Sequence, residues 1–238
     1  MPAKSVYKSF AKYYDRMYSW KDYKAESGRL RAYIKKYKTS RGKEMLDVAC
    51  GTGNHTQYLK KYFNITGIDI DKDMLAIARK KLPDIKFVRG DMRTFNLNRQ
   101  FDVIVCLFSA IGHLLTYSNL EKTISNFARH LKSGGVVIIE PFISPEFYID
   151  SILDSYNVDQ PDLKLTRMNR SKRKGNVAIY DFHFLVGEKG KIRYFIDVIK
   201  LGMFESKRVL KMMKKAGLKA KYLRKRKEYR GRYIGVKS

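Results

Sequence analysis

The sequence predicts an α/β fold organised around a parallel sheet, and three observations carry that reading. Short β-branched runs alternate with helical patterns between Glu44 and Glu140, the arrangement of strands joined by crossover helices. The runs are apolar throughout rather than alternating, as strands buried on both faces require. A glycine-rich turn separates the first run from the pattern that follows it.

Residues 1–43 read as one or two basic, aromatic-rich helices. Residues 45–49, 65–70, 101–108 and 136–139 read as buried strands, with 85–88 a shorter one. Met74, Leu75, Ile77, Ala78 and Leu82 recur at helical spacing behind an Asp71 cap. The next helix is expected from a Ser118 and Glu121 capping box and a stripe of Leu120, Ile124, Phe127 and Leu131, with Gly134 and Gly135 ending it. Residues 163–173, 176–188 and 191–201 read as antiparallel strands, joined at Lys174-Gly175-Asn176 and Lys189-Gly190. A helix over 203–218 and a strand over 229–236 close the chain.

Composition narrows the function. With 238 residues, 44% hydrophobic and 13% aromatic, the chain can build a sizeable core, which excludes a disordered protein. Cys50 and Cys106 sit in apolar runs without metal-ligand spacing, so neither a disulfide framework nor a metal site is expected, and a cytoplasmic location is. No apolar run approaches the roughly 18 residues of a membrane span, and residues 1–10 lack the apolar stretch of a signal peptide. The net charge of +27 is uneven: residues 1–43 hold 13 basic and 3 acidic residues, and residues 203–238 hold 14 and 2. Such ends favour an anionic partner, whether a phosphorylated small molecule, a nucleic acid or a membrane surface.

The chemistry begins at Leu46-Asp47-Val48-Ala49-Cys50-Gly51-Thr52-Gly53-Asn54, where a strand runs into a Gly-x-Gly turn. Glycines there let the backbone turn tightly and approach a ligand. Asp69 follows Asp47 by 22 residues at the end of the second strand, where a carboxylate can accept both hydroxyls of a ribose. Asp91 follows after another 22, in Gly90-Asp91-Met92. Each aspartate alone reads equally well as a helix cap. Together, at successive strand ends on one sheet edge, they suit a small nucleoside better than a dinucleotide.

At these residues the sequence resembles the class I S-adenosylmethionine-dependent methyltransferases. The resemblance implies a Rossmann-like sheet with an N-terminal helical lid (1–43), a cofactor-binding core (44–141), an inserted antiparallel sheet (142–202) and a C-terminal helix and strand completing the core (203–238). It implies S-adenosyl-L-methionine as cofactor, with Asp47, Gly51 and Gly53 near the methionine moiety and Asp69 on the ribose. Ile70 would lie against the adenine, with Asp91 and Met92 at its edge, and Tyr14, Ala49 and Leu107 complete that set. The flanks are similar to a narrower group, the dTDP-amino-sugar N,N-dimethyltransferases. The matching stretches are Tyr14-Asp15-Arg16-Met17-Tyr18, Phe108-Ser109-Ala110-Ile111-Gly112-His113-Leu114, Gly135-Val136-Val137-Ile138-Ile139-Glu140-Pro141, Phe182-His183-Phe184, Phe195-Ile196-Asp197-Val198 and Arg230-Gly231-Arg232-Tyr233-Ile234-Gly235. The chain departs from that group at Phe142-Ile143, where an aromatic pair is usual, and in its higher basic content.

The implied activity is N-methylation of an amine-bearing sugar nucleotide. His113 can take the amine's proton, or serve only to satisfy a helix entry. Tyr18, with Tyr14 four residues earlier, can form an aromatic cover whose faces attract a sulfonium, or simply pack the core. Arg167, Arg170, Arg230 and Arg232 are the candidates for the diphosphate, against the plain reading of solvated cations. His183 reads as structural or interfacial, and a homodimer through the inserted sheet is compatible with that. Two other readings stand beside this one: an RNA or ribosomal-protein methyltransferase, and a non-enzymatic nucleic-acid-binding module. Against base methylation, Cys106-Leu107-Phe108-Ser109 stands where an Asn/Asp-Pro-Pro-aromatic tetrapeptide would be expected.

Overall fold

The computed structural model describes residues 7–224 and 230–238; the expectations for residues 1–6, Tyr229 and most of the basic run 224–227 lie outside them. Helices are α1 (Tyr7–Met17), α2 (Tyr23–Tyr37), α3 (Thr56–Leu59), α4 (Lys72–Lys81), α5 (Tyr117–Arg129) and α6 (Ser206–Lys215). The first five strands are β1 (Glu44–Val48), β2 (Asn64–Asp69), β3 (Lys86–Arg89), β4 (Phe101–Cys106) and β5 (Leu131–Ile139). They are followed by β6 (Leu153–Gln160), β7 (Leu163–Lys174), β8 (Val177–Glu188), β9 (Lys191–Gly202), β10 (Leu218–Leu223) and β11 (Arg232–Lys237).

Seven strands form one sheet in the order β10-β11-β5-β4-β1-β2-β3. The pairs from β3 through β5 are parallel, and β11 runs antiparallel to both β5 and β10. Every residue of β4 is buried, which is why its sequence is apolar without alternation. One face packs under Leu120, Ile124 and Phe127 of α5 and Val209 and Met213 of α6; the other meets Leu30 and Ile34 of α2. Each such side chain contributes about 1.5–3 kcal/mol through burial.

Three local expectations are corrected. Thr116, not Ser118, caps α5: the preceding turn leaves Thr116 extended, and its hydroxyl accepts from Asn119 N–H at 3.2 Å. Glu121 instead pairs with Lys215 of α6 at 2.8 Å. Leu131 belongs to β5 rather than to the helix, because the pairing shifts from Phe101↔Leu131 to Val103↔Val136 and the intervening residues bulge out. Gly134 sits in that bulge with φ +73, and its carbonyl accepts from Thr39 and Ser40 N–H at 2.9 and 3.0 Å. A side chain at Gly134 would begin 2.6 Å from the Thr39 hydroxyl.

β6, β7, β8 and β9 form a separate antiparallel sheet. At the β8–β9 hairpin Lys189 and Gly190 both have positive φ, the two-residue turn that matches strand twist. Its inner face packs on α1: Phe10, Tyr13 and Met17 meet Val158, Leu163, Leu165, Phe184 and Val186. Tyr13 donates to Glu188 at 2.7 Å, and Arg16 forms a fork onto Asp162 at 2.8 and 2.9 Å. From the other side of α1, Asp15 reaches the core. It accepts from the Thr52 hydroxyl at 2.5 Å and the Asn54 amide at 2.9 Å, and pairs with Lys81 at 2.6 Å. α1 therefore bridges the two sheets above the edge where β1 ends.

Candidate active site

In an open parallel sheet a crevice forms where the strand order reverses, outside the carboxyl ends of the strands. Here that point lies between β1 and β4. The turn after β1 bends sharply, with positive φ at Ala49, Gly51 and Gly53, and turns the Gly51 N–H toward Asp69. The Asp69 carboxylate accepts from Gly51 N–H at 2.8 Å and from Asp71 N–H at 2.9 Å. Each oxygen keeps a further lone pair for a ligand. Burial raises the Asp69 pKa above the ordinary carboxylate value, partly offset by those two bonds. Asp47 lies behind the turn, accepting from the Thr56 hydroxyl at 2.7 Å, and burial lifts its pKa to about 6. Asp91 is held low by the Arg93 guanidinium beside it.

A cleft of about 890 Å³ opens from this edge and extends to the antiparallel sheet. Its first half is lined by Ala49, Gly51, Asp69, Ile70, Asp91 and Met92, with Leu107 at the end of β4. Ile70 is 59% exposed, an apolar side chain presented to the cleft rather than to the core. α1 and the turn after it cover the middle: the Tyr14 and Tyr18 rings lie 4.7 Å apart at their centroids with planes tilted by 58°, and Tyr18 meets Phe108 edge-on at 5.0 Å. Burial raises the Tyr18 pKa, opposed by Arg167 and Arg230, so its phenol stays protonated at neutral pH.

After β4 the chain turns through two consecutive left-handed residues, Phe108 (φ 50) and Ser109 (φ 64). Non-glycine residues hold that conformation only under tertiary constraint. Glu140 supplies it: its carboxylate accepts from Phe108 N–H at 2.9 Å and pairs with Arg232 at 3.1 Å. The 3-10 turn Ala110–Leu114 follows and points His113 into the cleft. The ring is open to the cleft, yet crowding by the walls lowers its pKa below the usual imidazole value, leaving it neutral at pH 7.

The second half of the cleft carries Arg167, Arg230, Phe142, Tyr180 and Phe182. Arg230 donates to the Ser109 hydroxyl at 3.3 Å and lies over the Phe142 ring. Arg167 lies over Phe182 and bonds Asp154 at 3.3 Å.

Of the residues singled out from sequence, Tyr14, Tyr18, Ala49, Gly51, Asp69, Ile70, Asp91, Met92, Leu107, His113, Arg167 and Arg230 line this one cleft. Four stand elsewhere. Asp47 borders a small pocket behind the glycine turn, with Tyr23 and His55. Gly53 faces α4, where a side chain would meet Leu82 at 3.0 Å. Arg170 lies on the opposite face of β7 from Arg167, since strand side chains alternate, and pairs there with Asp181 at 3.5 Å. Arg232 is engaged by Glu140 outside the cleft lining. Sequence reasoning missed Asp15, Glu140, Asp154 and Asn169. Only Glu140 gave a signal, as a lone acid closing an apolar strand.

A family model described as a methyltransferase domain matches residues 45–135. The chain is 38% identical over 218 residues, 91% of its own length and 92% of the relative's, to dTDP-3-amino-3,4,6-trideoxy-alpha-D-glucopyranose N,N-dimethyltransferase of Streptomyces venezuelae. Its structure is similar to that of Streptomyces venezuelae DesVI, with a TM-score of 0.89 and 36% identity, covering 96% of this chain and 98% of that one. It is likewise similar to S-adenosylmethionine-bound CalS10, an amino pentose methyltransferase of Micromonospora echinaspora, with a TM-score of 0.84 and 30% identity over 100% and 99% of the two chains. The glycine turn, the Asp69 carboxylate and the cleft beyond them thus sit in a chain that belongs to the S-adenosylmethionine-dependent methyltransferases, in the family of the dTDP-amino-sugar N,N-dimethyltransferases.

Proposed function

We propose that the protein methylates the amino group of a nucleotide-linked amino sugar. The observation that carries this reading is one continuous cleft joining the Asp69 edge to the Arg167 and Arg230 wall, with Tyr18 and His113 between. The residues present fit the cofactor: Asp69 keeps free lone pairs toward the cleft, exposed Ile70 offers an apolar face to a base, and Asp91 with Met92 stands at its edge. Asp47, behind the glycine turn, suits the amino-acid end. When bound, S-adenosylmethionine supplies a methyl group on a positively charged sulfur.

α1 acts as the lid. Tyr14 and Tyr18 wall the site from water and offer ring faces to that positive charge. A nitrogen nucleophile must arrive unprotonated and aligned, and alignment is the larger share of the work. Neutral His113 accepts the proton that the amine gives up as its new N–C bond forms. Arg167 and Arg230 hold the anionic part of the acceptor; their guanidinium groups match phosphate oxygens in pairs.

The test is methyl transfer to a panel of amine-bearing sugar nucleotides, simple amines and RNA, read by mass spectrometry. Turnover of the sugar nucleotides is expected. Turnover confined to RNA, with steeply salt-dependent binding, would overturn the reading in favour of a nucleic-acid acceptor. The two free cysteines, one half-buried and one buried, support a reducing cytoplasmic location, and no helix among the described residues is long and apolar enough to cross a membrane.

The outer face of the antiparallel sheet supports a homodimer. Leu153, Met168, Leu185, Tyr194, Ile196 and Val198 are all exposed, and strand alternation places them on that single face. Sedimentation should give a dimer that Leu185→Lys converts to monomer; a monomeric parent would refute it.

A further inference from the structure

The inner face of β7 presents Arg167, Asn169 and Ser171 to the cleft at alternate positions. Their polar groups are not equally satisfied. The Ser171 hydroxyl accepts from Ile152 N–H at 3.2 Å, and Arg167 bonds the Asp154 carboxylate at 3.3 Å. The Asn169 side-chain oxygen is buried with no hydrogen-bond donor among the described residues, in a residue only 4% exposed. Asn169 lies in register with Asp154 on β6 and Phe182 on β8, both of which also line the cleft.

A buried amide oxygen without a partner destabilises the fold, and leucine would fill the same space without that cost. The amide is explained by an occupant. Around it the wall is aromatic: Tyr180 and Phe182 stack with centroids 5.7 Å apart and planes 11° from parallel. Arg167 Nε, two residues along the same face, is a buried donor that also lacks a partner. An accepting oxygen and a donating N–H on one strand, about 7 Å apart at the backbone and over an aromatic floor, complement a polar ring.

We propose that Asn169 is a specificity residue of this enzyme: its side-chain oxygen accepts a hydrogen bond from a neutral O–H or N–H of the acceptor, and selects against acceptors lacking that donor. The inference rests on the function proposed above. It gives that function a chemical filter, because a site built around an unsatisfied polar group rejects the ligand that leaves it unsatisfied.

The test uses the full chain with Asn169→Leu and Asn169→Asp. Asn169→Leu should raise Tm by about 2–6 °C, since an orphaned buried oxygen is removed. S-adenosylhomocysteine affinity should stay within twofold, while kcat/KM for the sugar nucleotide falls about 10- to 100-fold, mainly through KM. Asn169→Asp keeps an accepting oxygen and gives up the amide donors, and should retain whichever preference the parent shows, for a hydroxylated sugar over its deoxy analogue or for thymidine over its N3-methyl derivative. Asn169→Leu should show no such preference. Titration with thymidine diphosphate alone separates the two sources: weakened binding in Asn169→Leu assigns the donor to the base, unchanged binding to the sugar. A lower Tm with unchanged acceptor kinetics would make Asn169 structural and overturn the proposal, as would loss of preference in both variants. If the parent methylates sugar nucleotides and Asn169→Leu does so equally well, this inference alone fails. If the parent binds no sugar nucleotide, both readings fail together.

Discussion

Releasing Asp15 should speed loss of the cofactor product without unfolding the protein. Its carboxylate is the contact that closes α1 onto the glycine turn: two hydrogen bonds, from Thr52 at 2.5 Å and Asn54 at 2.9 Å, and an ion pair with Lys81 at 2.6 Å. The Asp15 side chain is 38% exposed, so the ion pair is discounted to about 0.5 kcal/mol. The two hydrogen bonds add about 0.75 kcal/mol each, the value of an ordinary hydrogen bond, taken here because water competes at this exposure. The sum, about 2 kcal/mol, corresponds to about 30-fold in the open fraction of the lid. Tyr14 on α1 and Tyr18 in the turn directly after it move with the helix over the cleft, so release of S-adenosylhomocysteine needs opening, and its rate scales with that fraction. Asp15→Ala should therefore release it about 30-fold faster in stopped-flow displacement, and Asp15→Asn, which keeps one accepting oxygen, about 3- to 10-fold faster. Lys81 retains its bond to Asn54 at 2.7 Å, so the turn itself stays ordered. A release rate within twofold of the parent for Asp15→Ala would refute the latch, as would a Tm loss large enough to account for the whole effect.

Two further outcomes follow from titratable groups whose pKa values are shifted by their surroundings. Asp47 has its pKa raised to about 6 in the folded protein, so the fold binds more protons than the unfolded chain from about pH 4 to 6 and loses stability as pH rises through that window. An ammonium group beside it reverses the preference, so S-adenosylhomocysteine affinity measured by calorimetry should climb from pH 5 to about 6 and level above; Asp47→Asn should be flat, and a flat parent profile would contradict the assignment. For His113, held neutral by its lowered pKa, turnover of the ternary complex should stay constant on the acid side to below pH 6.5. His113→Asn should cost about 100-fold in kcat with unchanged cofactor affinity, and near-parental turnover would remove it from proton transfer.

The parts of the site that could be read from sequence are those built locally. Asp69 and Asp91 occupy strand ends whose positions follow from apolar runs, and Gly51 sits in a turn whose φ of +56 favours glycine. The basic cluster from Arg167 to Lys174 reads as one feature in the sequence, but the two-residue strand period sends Arg170 and Lys172 to the far face, Arg173 bonds the Gly175 and Pro145 carbonyls, and Arg167 enters the cleft. β6 escaped notice because its sequence, Leu-Asp-Ser-Tyr-Asn-Val-Asp-Gln, buries only Val158. β10 is not read from the sequence: the helix expected over 203–218 reaches its first residue, and in Leu-Lys-Ala-Lys-Tyr-Leu only Leu218 is fully buried, too few apolar positions to mark a strand. Asp15 and Asn169 gain their meaning from partners far along the chain, or from having none, and neither condition leaves a local trace.

α1 is 11 residues long, too short to be stable as an isolated helix, and together with the turn that follows it roofs one cleft, through Tyr14 on the helix and Tyr18 and Trp20 in the turn. The entropy of ordering it is a single shared cost. Whichever ligand arrives first meets most of that cost, and the second binds to a helix already in place. Cofactor and acceptor should therefore be heterotropic partners, each raising the other's affinity by the same factor, although neither needs to touch the other. Between turnovers the same economy works in reverse: departure of one product loosens the helix and hastens departure of the other.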